Sequence, residues 1–178
     1  MAAVRRIIVG VHGSLCSLQA LRYAAEEARE RGVPLVPVIA WIPPGGDLGE
    51  RGHPSPYLRE VWSDAAKERL LAAFEAGLGG VPADVQVHGC VERGEAGPVL
   101  VDLASQPGDL LVIGTGRRSL VGRALRKSVG RYCLAHATCP VLAVPPSALM
   151  DEVSRGRSRP WAWRRRVLVP DTPELPDR

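Results

Sequence analysis

Residues 110–145 read LLVIGTGRRSLVGRALRKSVGRYCLAHATCPVLAVP. An apolar run at 110–113 stops at Gly114, and a loop with glycine, serine, threonine and many cations follows. A helical pattern over about 128–136 comes next, and a second apolar run at 141–144 closes the stretch. Strand, loop, helix, strand is the repeating unit of a parallel sheet. Its loop lies at the carboxyl end of the strand, where open sheets bind their ligands.

The same rhythm extends upstream. Residues 4–11 hold Ile7, Ile8, Val9 and Val11 in a near-continuous apolar run and predict a buried first strand. A helix follows with Ser17 as its N-cap and Leu18, Leu21, Ala25 and Ala28 at helical spacing as far as Gly32. The second strand is 35–41, in which Pro37 implies an edge or an irregular part, because proline removes a ladder donor. A Pro/Gly-rich loop at 42–56 leads to a helix over 57–78 with Val61, Ala65, Leu70, Leu71 and Phe74 on its inner side. Residues 84–91 predict the third strand, with valines at 85, 87 and 91. A third helix from Glu95 to Gln106 carries Pro98 in its first turn, where the missing N–H does no harm. The fourth strand is Asp109–Gly114. Strands alternating with helices in this way predict an α/β fold with a doubly wound parallel sheet and right-handed crossovers.

The chain has 178 residues, 46% of them apolar and 4% aromatic, so its core is built from Val, Leu, Ile and Ala. One domain over residues 1–146 and a basic, disordered C-terminal tail over 147–178 are expected: the tail has prolines and clustered arginines but no sustained periodicity. No apolar run approaches the roughly 18 residues of a membrane span, and residues 4–11 read as a strand and not a signal peptide. A cytoplasmic location is the expectation. Cys16, Cys90, Cys133 and Cys139 form no CxxC pair and match no zinc spacing, so they read as small buried hydrophobes and no metal is expected. The net charge of +4 is unevenly spread. Arg117, Arg118, Arg123, Arg126, Lys127 and Arg131 crowd one stretch without an acid, and a second cluster lies in the tail beside Trp161 and Trp163. Arginine interleaved with aromatics suits polyanions, but it is also what a solvated tail looks like, and nucleic acid is not the expected partner.

Several landmarks fall in order: IIVGVHGS at the start, AWIPP after the second strand, RGE before the third helix, and VIGT, GRALRKSV and CPVLAVP at the end. Together they resemble the universal stress protein (UspA-type) family over about residues 4–146. The resemblance implies a five-stranded flavodoxin-like sheet of the adenine nucleotide alpha hydrolase-like kind, with strand order 3-2-1-4-5. It also implies a homodimer through the fifth strand and, in many members, bound ATP. The positions it carries over as nucleotide-binding are Val11, His12, Ala40, Gly114, Arg117, Lys127, Ser128 and Val129. ATP-binding members have Gly-x2-Gly-x9-Gly-Ser/Thr after the fourth strand. Here the first glycine is Gly114, but the next two positions are Arg117 and Lys127, followed by Ser128. Glycine serves there for close backbone approach to phosphate and for positive φ, and long cations supply neither. They can instead clamp phosphate by charge-assisted hydrogen bonds, or simply be solvated. His12 stands where ATP-binding members have an Asp, so it is a pocket residue, a ligand contact or a base.

No activated nucleophile with its base and acid is recognisable, so no residue is assigned a catalytic role. The reading is a non-catalytic stress-response binding or regulatory module with a degenerate nucleotide site. The alternatives are an ATP-binding or nucleotide-hydrolysing enzyme using the same crevice, and polyanion binding through the tail.

Overall fold

Ile7, Ile8 and Val9 are wholly buried at consecutive positions, which requires a strand covered on both faces. The computed structural model describes residues 3–46, 54–115 and 128–146. Along them run β1 (Arg6–Gly10), α1 (Leu15–Arg31), β2 (Leu35–Trp41), α2 (Pro56–Leu78), β3 (Cys90–Arg93), α3 (Ala96–Leu103), β4 (Asp109–Gly114), α4 (Val129–His136) and β5 (Val141–Val144). The sheet order is β3-β2-β1-β4-β5, as the family resemblance implies, and all pairings are parallel, as the strand–helix alternation predicts. Arg117, Lys127 and the tail over 147–178 lie outside the described residues.

Side chains alternate between the two faces of the sheet. Ile7, Val9, Leu35, Ile39 and Val112 join a core with Leu18 and Leu21 of α1 and Leu70 and Phe74 of α2. Ile8, Val38, Leu111 and Ile113 join a second core with Leu100 of α3 and Cys133 of α4. At the amino end of the sheet, Arg6 Nε donates to Asp109 Oδ1 at 2.6 Å and Arg6 Nη2 donates to Leu103 O at 2.7 Å. Gln106 N donates to Asp109 Oδ2 at 2.8 Å. This carboxylate therefore serves the sheet's amino end and is far from the loops at its other end.

Three expectations need correction. The N-cap of α1 is Ser14, whose hydroxyl accepts from Ser17 N, and Ser17 lies buried in the first turn. In α2 the inner side is Ala66, Leu70, Ala73, Phe74 and Gly77, while Val61 and Leu71 are exposed and Ala65 faces solvent as well. Gly77 on that face lies next to α1: a Cβ there would be 3.4 Å from Leu21 Cδ2. Finally, β3 begins at Cys90, preceded by an isolated bridge between Leu35 and Val87.

The proline explains the late start of β3. Leu35 N donates to Gln86 O and His88 N donates to Leu35 O, both at 2.9 Å. The next bond in this series would run from residue 37 to the carbonyl of His88. Pro37 has no N–H to give, so the ladder lapses and resumes at the Val38↔Cys90 pair. The irregularity expected of Pro37 is present, although β2 is an inner strand.

Candidate functional site

In this strand order the chain leaves β1 toward β2 on one side, while β4 lies on the other. Such a switch point opens a crevice at the carboxyl ends of the two strands. The Val9↔Val112 register sets the loop after β1 beside Gly114 at the end of β4.

That loop is held by its own backbone. Val11 is 4% exposed and its N–H donates to Val38 O at 2.8 Å. His12 N donates to Ser17 Oγ at 3.3 Å, and Gly13 turns the chain at φ +82°, a conformation suited to glycine. Ser14 then caps α1, accepting from Ser17 N at its hydroxyl and from Leu18 N at its carbonyl. Ser17 Oγ donates to Ser14 O at 2.9 Å. The His12 ring is exposed, and its Nε2 lies 3.2 Å from Ser14 Oγ.

Gly114 sits against the start of α1. A Cβ there would be 2.6 Å from the carbonyl carbon of Cys16, closer still to its oxygen, and 3.1 Å from Ser17 N. Thr115 follows and anchors the loop exit, its N–H and its hydroxyl both donating to Val144 O, at 2.8 and 3.1 Å. On the far side of the segment 116–127, Ser128 is the half-buried N-cap residue of α4 and makes no side-chain cap bond. Val129, also half-buried, packs on the second core. Ala40 is half-buried on β2, two residues beyond Val38, which pairs with Gly10.

Of the carried-over positions, Val11, His12 and Gly114 thus meet at the ends of β1 and β4. Ser128 and Val129 begin the helix whose Gly130 faces Ile113, a Cβ there lying 3.5 Å from Ile113 Cδ1. Ala40 stands one strand further out. Ser14 and Thr115 also belong to this neighbourhood, although neither is among the carried-over positions. The signal for Ser14 was available: a serine directly after a loop glycine and just before an apolar helical repeat is a strong N-cap. Among the described residues no group of three or more His, Cys, Asp or Glu side chains is gathered to hold a metal ion. A separate hollow of about 420 Å³ lies between Trp41 and the first turns of α2, bordered by the Lys67–Asp64 ion pair, and it does not include His12 or Gly114.

The four cysteines are free. Burial pushes the thiols of Cys133, Cys139 and Cys90 above their usual range, with the Glu92 carboxylate adding to the effect at Cys90. No helix among the described residues is long and apolar enough to cross a membrane.

Residues 3–145 match the model of the universal stress protein family, and the chain belongs to that family. A universal stress protein of Mycolicibacterium smegmatis is 34% identical over 143 residues, which are 79% of this chain and 45% of the relative. One from Mycobacterium tuberculosis is 30% identical over 140 residues, 78% of this chain and 47% of the relative. The chain spans about half the length of the curated relatives it matches. Among solved structures, a universal stress protein in complex with cAMP is 26% identical with a TM-score of 0.54, covering 82% of this chain and 100% of the other. One from Archaeoglobus fulgidus is also 26% identical, with a TM-score of 0.54 and coverage of 79% and 98%.

Proposed function

We propose that this chain is a non-catalytic, nucleotide-binding regulatory module of the stress response, and that its site is the crevice between the ends of β1 and β4. The observation that carries this reading is the meeting of the 11–14 loop with Gly114 at the sheet's switch point. The similar universal stress protein that holds cAMP supports a nucleotide as ligand. ATP is the nucleotide we propose, with Val11, His12, Ala40, Gly114, Ser128 and Val129 around it. Arg117 and Lys127 stand in the loop where motif-complete members have glycine. There they replace backbone cradling by cationic side chains, which gives an attraction that is weaker and more easily screened by salt.

The module is proposed to occupy residues 1–146, to work in the cytoplasm, and to pair with a second copy through β5. The two sheet edges differ in a way that favours this. β3 ends in exposed Glu92 and Arg93, whereas β5 reads VLAV and bears no charge. Charge protects an edge from pairing, and an apolar edge invites it.

Mass spectrometry of small molecules released from the purified, denatured protein tests the nucleotide reading directly. Adenine nucleotide in the release, together with ATP binding by calorimetry that weakens as salt rises, is the expected result. Absence of both at low salt would overturn it. The double variant Arg117→Gly, Lys127→Gly separates the two roles of the cations: tighter ATP binding marks a decayed glycine motif, and abolished binding marks a cationic clamp.

A further inference from the structure

We propose that Ser14 and His12 form a nucleophile–base pair, and that Ser14 is a site of covalent acylation by small activated esters. The acylation does not rest on the nucleotide reading, although His12 belongs to both sites. The two neighbouring serines have different hydrogen-bond states. Ser17 is 2% exposed, its hydroxyl proton is given to Ser14 O, and its oxygen accepts from His12 N. It is fully engaged in holding the turn. The Ser14 hydroxyl uses its oxygen to accept from Ser17 N, which leaves its proton free to be given away. The group 3.2 Å from it is His12 Nε2, within the reach required of a general base.

The turn fixes both partners. Gly13 sets the direction of the chain between them, and the start of α1 is wedged against Gly114, so the Ser14 cap is held near the carboxyl ends of β1 and β4. In the step itself, Ser14 Oγ adds to the ester carbonyl carbon while its proton passes to His12 Nε2. The tetrahedral adduct collapses, the bond to the leaving oxygen breaks, and Nε2 returns the proton to that oxygen. The products are an ester on Ser14 and a free alcohol. Among the described residues no carboxylate is hydrogen-bonded to the His12 ring. The pair is thus suited to taking up one acyl group and poorly equipped to release it, which agrees with a module that does not turn over.

The test is reaction of the full chain with para-nitrophenyl acetate, followed by peptide mapping. Acetyl on Ser14 is expected in the parent protein. Ser14→Asn keeps a good helix cap but has no hydroxyl, so it should stay unlabelled at that peptide. His12→Gln should slow the acylation of Ser14 by about 100-fold, the scale of a lost general base. Label confined to lysines or Cys16 would overturn the proposal, as would equal rates of Ser14 acylation in the parent and His12→Gln. Should Ser14→Asn fail to fold, as judged by circular dichroism, the peptide map and the His12→Gln rate still decide.

Discussion

Gly114 packs directly on the backbone of Cys16, so the end of β4 and the start of α1 touch with no side chain between them. The glycine at the edge of the proposed nucleotide site therefore has a packing duty of its own. It sets how near α1 lies to the crevice, and through α1 it places the Ser14 cap and the His12 turn.

Gly114→Ala should displace the first turn of α1. The intruding Cβ meets backbone and not the end of a flexible side chain, so the neighbour cannot simply rotate away. Overpacking of this kind costs about 1–3 kcal/mol. Thermal denaturation should show a drop of several degrees, and ATP binding should weaken along with it. An unchanged melting temperature would mean that α1 shifts freely.

Asp109 holds the opposite end of the sheet. Its side chain is 1% exposed and satisfies Arg6 together with the backbone N–H of Gln106. The Asp109 hydrogen bond also raises the Arg6 guanidinium further above its already high range. Asp109→Ala leaves a cation and a donor without their acceptor. A cost of about 3 kcal/mol is expected, the low end for breaking a buried pair, because Arg6 is itself partly exposed. Chemical denaturation measures it, and nucleotide affinity should be unaffected at a site on the other end of the strands.

The fold was legible because every strand but one carries its own apolar run, and the boundaries of β2, β4 and β5 follow those runs. β3 was not legible. Its valines at 85 and 87 look like strand, but the missing donor belongs to Pro37, on a different strand, and only the pairing shows that the two face each other. The inner face of α2 was misread for a related reason. Val61 and Leu71 are apolar at helical spacing, yet they lie off the face that carries Leu70, Phe74 and the Gly77 that meets α1. At the site, the position of His12 and Gly114 could be read from strand ends. The hydrogen bond between His12 and Ser14 could not, since it depends on which serine caps the helix.

The β5 edge offers a clean test of assembly. Leu111 N donates to Pro140 O and Thr115 N donates to Val144 O, so the even-numbered residues of this strand face β4. Val141 and Ala143 then turn their N–H groups toward the open edge. Ala143→Pro removes one outward donor and no bond to β4. Analytical ultracentrifugation should find the parent dimeric at micromolar concentration and this variant, like Val141→Lys, shifted toward monomer with its helical content kept. A monomeric parent, or variants that dimerise equally well, would remove β5 as the interface.

The raised thiols of buried Cys133 and half-buried Cys139 and Cys90 make stability sensitive to alkaline pH. Burial raises the Cys133, Cys139 and Cys90 thiols above their usual values in the folded chain, while in the unfolded chain they ionise near the ordinary value of about 8.5. A group raised on folding contributes fully below its unfolded pKa and loses that contribution as the pH climbs through the folded value, because only the unfolded state gains by releasing the proton. The melting temperature should therefore fall as the pH rises above about 8.5. Cys133 is 0% exposed, so Cys133→Ala should lower stability slightly at neutral pH through the lost sulfur contacts yet flatten the alkaline decline. Replacing all three residues by alanine should flatten it further. Equal alkaline slopes in the parent and the triple variant would show that other groups govern the decline.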